Sequence, residues 1–195
     1  MAHTPSSPLP GGTIDPAASA WATGALWLAA PCRAAARLCG WLLLVLMGVI
    51  LYDVIGRRFF STGSFKLQEL EWHLHGAIAL LCFGYAYTED AHVRIDLFSQ
   101  RLSARTRLWI EIGAIALFLL PFMTLLTWYG IDFTWRSFER NEGSAGGIGL
   151  PNRWIIKSVI PIGAVLTLCG GLSVLLRSVA LLRSTGTGDA DKPVS

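Results

Sequence analysis

The sequence predicts an all-α integral membrane protein that crosses a bilayer four times, and three observations carry that expectation. Only 15% of the 195 residues are charged and 53% are hydrophobic, whereas soluble domains carry roughly 25% charged residues. The charges gather at the two ends and in three connecting stretches, leaving long apolar gaps. Trp and Tyr stand at the edges of those gaps, where side chains with an apolar body and a polar tip meet the membrane–water boundary.

A helical span needs about 20 mostly apolar residues at 1.5 Å rise each. The first span is expected over about 38–56, with WLLLVLMGVILY at its centre, Asp53 near its end and Arg57 and Arg58 as the stop. The third is expected over about 108–131 and carries no charge between Glu111 and Asp132. The fourth, about 154–176, starts near Lys157 and stops at Arg177. The second, about 68–88, is the least apolar. Its GAIALLCFGYAYT run is short, so a span must reach back through Glu69, Glu71, His73 and His75; the alternative is a re-entrant segment. The aromatics favour a span: Trp72 opens it, and Tyr85 and Tyr87 close it.

The flanks complete the organisation. Residues 1–37 read as an N-terminal tail, Pro-, Ser- and Gly-rich at first and without the basic start of a cleaved signal. Within it, Ala17 to Ala30 suits a helix lying on the membrane surface and ending at Pro31, or no structure at all. Residues 38–182 form the membrane domain, and 183–195 read as a disordered tail. Between spans two and three, Leu97, Phe98, Leu102 and Trp109 fall near helical spacing with Arg101, Arg105 and Arg107 among them. That pattern suits an amphipathic interfacial helix beside anionic headgroups, with a plain basic loop as the alternative. Placing both termini in the cytoplasm puts nine Lys and Arg inside and seven outside. The arginine-rich middle loop decides that orientation.

Composition also narrows the chemistry. A net charge of +3 with scattered basic residues gives no nucleic-acid arm. The cysteines Cys32, Cys39, Cys82 and Cys169 form no Cys-x-x-Cys pair and read as small hydrophobes. No phosphate loop, nucleophile elbow or His-Glu-x-x-His run occurs, so no enzyme activity, resident cofactor or metal is expected. Glu69 and His73, like Glu71 and His75, are four residues apart and share a helix face. Each pair suits either a partner contact or an ordinary wet helix start. No ionisable group stands mid-span, and no inverted repeat appears, so a complete transporter is disfavoured. Small residues offer packing positions at Gly76 and Gly84 in span two and at Gly163, Gly170 and Gly171 in span four.

Several ordered motifs resemble the small permease subunit (DctQ type) of tripartite ATP-independent periplasmic (TRAP) transporters. Arg57 to Phe60 resembles that family's Arg–aromatic–x–Phe element, with Arg58 in place of the aromatic. Glu69 matches a Glu entering span two, although the family's preceding Trp is absent. Gly84 matches a late glycine in that span. His92, Val93, Arg94, Ile95 and Asp96 reproduce a His–aliphatic–Arg–aliphatic–Asp run, and Pro161 with Gly163 a Pro-x-Gly element. The resemblance covers roughly residues 38–182. It implies a scaffold subunit of the bacterial inner membrane, partnered by a large permease subunit and a periplasmic solute-binding protein. The associated uptake, often of a carboxylate, is driven by an ion gradient, usually sodium. On that reading Arg57, Glu69, Gly84, His92, Arg94, Asp96, Pro161 and Gly163 are family-motif or partner-contact candidates. A membrane anchor of a respiratory oxidoreductase is the alternative of similar size.

Overall fold

A computed structural model describes residues 16–89, 103–144 and 149–188. Among them every regular element is helical. Helix α1 spans Pro16–Phe60 and α2 spans Phe65–Thr88. Helix α3, Ala104–Ala114, passes through a π-helical turn at Ile115–Leu119 into α4, Leu120–Glu139, making one rod. Helix α5 spans Trp154–Gly188. Three of the four rods are long and apolar enough to cross a membrane, over Thr23–Phe60, Arg105–Glu139 and Trp154–Arg183. The 24 residues of α2 reach about 36 Å at 1.5 Å per residue, enough for a bilayer core of about 30 Å. Its first half carries Lys66, Glu69, Glu71, His73 and His75, which lowers its apolar character.

The helix ends follow from local chemistry. Helix α1 ends with Arg57 and Arg58 in its last turn, where cations favour the helix dipole. Ser61 then takes a left-handed φ of 53°, and the Thr62 N–H returns to the Gly56 carbonyl at 3.2 Å. Ser103 caps α3 by accepting from the Thr106 N–H at 3.2 Å. Asn141, at φ 47°, closes α4 with a Schellman motif in which Glu142 N–H donates to Ser137 O and Asn141 N–H to Phe138 O.

Helix α5 is the centre of the fold. The α1–α2 hairpin packs on one part of it and the α3–α4 rod on another, and α1 also packs on α2. Helix α1 meets its neighbours along a heptad. Ala25, Cys32, Cys39, Leu46 and Asp53, seven residues apart, are all at most 5% exposed. A seven-residue repeat keeps one stripe facing a partner along a long helix. Ser173 Oγ on α5 donates to the Ala25 carbonyl at 2.8 Å, and Cys32 Sγ lies 3.1 Å from the Leu166 carbonyl.

The structure corrects the expectation for the first part of α1. The stretch from Ala17 to Ala30 neither lies apart on a membrane surface nor stops at Pro31. Pro31 sits inside a continuous helix. Proline removes one backbone donor there, but its exposed position leaves the buried stripe of Ala25, Ala29 and Cys32 intact. Helix α5 likewise runs on to Gly188, past the stop expected at Arg177. Of the proposed interfacial helix, only Ser103 onward lies within the described residues, and there it is the start of the α3–α4 rod.

Large apolar side chains face outward along every rod, among them Leu44, Leu51, Phe83, Phe118, Phe122, Leu125 and Ile162. Contiguous exposed apolar surface of this extent is what a lipid or a membrane-embedded partner covers.

Candidate functional site

Two arrangements gather the residues that the sequence singles out. The first is a seam between α2 and α5. Gly84 lies so close to α5 that a Cβ there would sit 2.5 Å from the Leu166 carbonyl oxygen. A Cβ on Gly170 would sit 2.5 Å from the Gly84 oxygen, and one on Gly163 would sit 2.8 Å from the Leu80 oxygen. Backbone meets backbone, as small residues permit in membrane helices. Thr167, buried in this seam, donates its hydroxyl to the Gly163 carbonyl at 2.8 Å and so brings no unpaired group. Pro161 faces the other way, onto Gly130 of α4, where a Cβ would lie 3.2 Å from the proline Cδ. Gly171 accommodates Leu119 at the end of the π turn. Gly76, by contrast, has open space beside it and takes no part.

The second arrangement is a polar cluster where the α1–α2 turn meets the α4–α5 loop. Asp53 is 1% exposed and forms an ion pair with Arg57 one turn later. With the Gln68 amide oriented by its neighbours, its oxygen accepts from the Arg57 guanidinium, 2.9 Å from one Nη. Arg57 thus ties α1 to α2. Glu69 reaches across to the loop before α5, where its Oε2 accepts the Leu150 N–H at 2.6 Å. His73 stands 3.9 Å from the other Glu69 oxygen. Glu142, after α4, pairs with Lys157 of α5, and that ammonium lies 4.1 Å over the Phe133 ring. The hydrogen bond from Lys157 holds the Glu142 carboxyl below its usual range. The Arg153 N–H closes the loop by donating to the Glu142 carbonyl at 3.0 Å.

Arg57 and Glu69 therefore meet at one end, Gly84 and Gly163 meet in the seam, and Pro161 belongs to the α4–α5 contact. His92, Arg94 and Asp96 lie outside the described residues. Sequence reading passed over Gln68, Gly130, Glu142 and Lys157 as partners. The i to i+4 spacing of Asp53 and Arg57 was a usable signal. The Glu142–Lys157 pair offered none, because its partners meet across a loop.

Residues 46–181 match the family model for the DctQ component of tripartite ATP-independent periplasmic transporters. The chain belongs to this family. The match runs from mid α1 to the last turns of α5 and takes in both the seam and the polar cluster, while the first half of α1 precedes it. No curated protein matches the chain. The DctQ assignment makes the protein a transporter component and lends no support to the respiratory-anchor alternative.

Proposed function

We propose that this DctQ protein is the scaffolding small permease subunit of a TRAP transporter, packed beside a large permease and contributing to the docking of a periplasmic solute-binding protein. The observation that carries the reading is the family match over 46–181. The packing supports it. Helices α2 and α5 close backbone to backbone at Gly84 and Gly170, which leaves no route for a solute along that seam. The α3–α4 rod rests on α5 and keeps Phe118, Phe122 and Leu125 exposed, a face suited to lipid or to another membrane helix. On this reading the chain lies in the bacterial inner membrane with both termini cytoplasmic. The α1–α2 turn and the α4–α5 loop then face the periplasm. The solute, of the carboxylate class, is carried by the large subunit on a sodium gradient.

Co-expression with a large permease subunit tests the assignment. The pair is expected to co-purify in mild detergent. Uptake into vesicles is expected to need both membrane subunits, a binding protein and a sodium gradient. Uptake by this chain alone would refute the division of labour. Reporter fusions after Arg105 and after Gly149 check the orientation, and an external signal from the first would reverse it.

A further inference from the structure

Two cavities adjoin where α2 meets the start of α5 and share His73, the lower one reaching farther along both rods. The upper one, of 580 Å³, carries Gln68, Glu69, His73, Ser144 and Arg153 beside the rings of Phe65 and Trp72. The lower one, of 380 Å³, is a groove of aliphatic side chains, including Leu74 and Ala77 from α2 and Ile155, Ile156 and Val159 from α5. His73 lines both. On both helices the groove lies deeper than the chamber. It reaches Ala77 on α2, where the chamber stops at His73, and Val159 on α5, where the chamber stops at Arg153 in the loop before the helix. From Leu70 to Ala77 is about 10.5 Å of helix rise on α2.

A chamber with charged groups in its walls, adjoining an aliphatic groove that reaches deeper, has the layout of an amphiphile standing upright in one leaflet. The chamber's charges narrow the headgroup. Arg153 supplies a cation whose buried Nε has no hydrogen-bond partner. A buried unmade donor of this kind costs free energy until something accepts from it. Glu69 supplies an anion. Its Oε2 is engaged by the Leu150 N–H, yet a carboxylate has about four lone-pair sites and so keeps acceptor capacity. A guanidinium near Glu69 and Glu142 that still has one unmet N–H, beside a carboxylate with room for a donor, complements a zwitterion carrying a phosphate and an ammonium N–H.

We propose that this site holds a membrane phospholipid with a phosphoethanolamine headgroup, its phosphate on Arg153, its ammonium on Glu69 and one acyl chain in the α2–α5 groove. The site is built within the single chain, so it stands independently of the transporter role. The lipid would complete the contact between α2 and the loop before α5, the contact that Glu69 begins.

The test uses the full chain purified in a neutral detergent, with unfolding followed by tryptophan fluorescence. Five additions are compared: phosphatidylethanolamine, phosphatidylcholine, phosphatidylglycerol, glycerophosphoethanolamine without acyl chains, and inorganic phosphate. Phosphatidylethanolamine well above its dissociation constant is expected to raise Tm by about 5 °C. Phosphatidylcholine, which has no ammonium N–H, and phosphatidylglycerol, which has no cation, are expected to give less than half of that. The two tail-free additions are expected to give none. Arg153→Gln removes the headgroup contact and Ala77→Phe fills the groove. Each is expected to abolish the preference for phosphatidylethanolamine while the lipid-free protein still melts cooperatively. Equal shifts from all three lipids, a full shift from inorganic phosphate, or an unchanged preference in both variants would overturn the proposal. Should one variant fail to fold, the other variant and the lipid comparison in the unaltered chain still decide it.

Discussion

Gly84→Ala sets two opposing effects against each other at one position. In a helix interior, alanine is favoured over glycine by about 0.5–1 kcal/mol, because glycine loses more backbone freedom on folding. At Gly84 the new methyl would sit 2.5 Å from the Leu166 oxygen, 2.7 Å from the Leu166 carbonyl carbon and 3.0 Å from the Thr167 nitrogen. The first distance falls about 0.9 Å short of ordinary van der Waals contact. All three atoms are backbone, so no side chain can rotate away, and α5 as a whole has to move. Overpacking of this kind costs about 1–3 kcal/mol. The penalty exceeds the propensity gain, and Tm of the purified chain is expected to fall by about 2–8 °C. Gly76→Ala is the matched control on the same helix. Nothing lies within 4 Å of its added methyl, so Tm is expected to hold or rise slightly. Gly170→Ala meets the Gly84 oxygen from the other side and is expected to lose a similar amount. The double variant should lose less than the sum, because a single displacement of α5 relieves both clashes. A Gly84→Ala chain as stable as the unaltered one, or a Gly76→Ala chain equally weakened, would refute the seam.

Two further perturbations probe the polar cluster. The Asp53–Arg57 pair is asymmetric, with side-chain exposures of 1% and 43%. Arg57→Gln strands a buried carboxylate and is expected to cost about 3–5 kcal/mol, whereas Asp53→Asn leaves a guanidinium that still reaches water and Gln68, at about 1 kcal/mol or less. Thermal melts of the two variants check the order, and equal losses would count against burial as the cause. Glu142 has a carboxyl held below its usual range by Lys157. A depressed carboxylate contributes stability above its unfolded pKa of about 4.3, and that contribution disappears as pH falls through the lower folded value. Tm is therefore expected to drop more steeply below pH 4.3 in the unaltered chain than in Glu142→Gln, and parallel pH profiles would remove the pair from the account.

The helical class and the long apolar rods were legible because lipid imposes a simple rule: each segment satisfies its own backbone and stays apolar over about 20 residues. The glycines of the seam were legible only in part. Gly76 and Gly84 both stand on α2, but nothing in the run of residues tells which of them touches a neighbour. That choice depends on the crossing of α2 with α5, a tertiary fact. The first half of α1 misled for a related reason. Ala25, Ala29 and Cys32 are small and only mildly apolar, so the stretch looked too weak to be embedded. Small size is what lets α1 lie against α5 closely enough for the Ser173 hydroxyl to reach the Ala25 carbonyl. Hydropathy registers transfer into lipid, whereas helix association in lipid depends on close approach. A poorly apolar stretch can therefore be a well-packed one.

Helix α2 shows where that distinction leads. By composition it is the least convincing span, yet it carries the Gly84 contact with α5, the Gln68 contact with Arg57 and the Glu69 contact with the loop before α5. Its low apolar character and its many contacts have one origin. A helix facing lipid over most of its surface gains from large apolar side chains. A helix wedged between α1 and α5 gains from glycine where backbones cross and from polar groups where loops converge. Inserting α2 into lipid as an isolated helix would place Lys66, Glu69 and Glu71 there and deprive Glu69 of the Leu150 N–H, at a cost of several kcal/mol. The hairpin with α1 and the loop before α5 supply Glu69 with a donor and Gln68 with a cation. In this DctQ protein, then, the α1, α3–α4 and α5 rods are apolar enough to be lipid-stable elements in their own right, and α2 is the element whose placement depends on the rest of the chain. Weakening the seam should loosen α2 first, and with it the end of the bundle where Glu69 grips the loop.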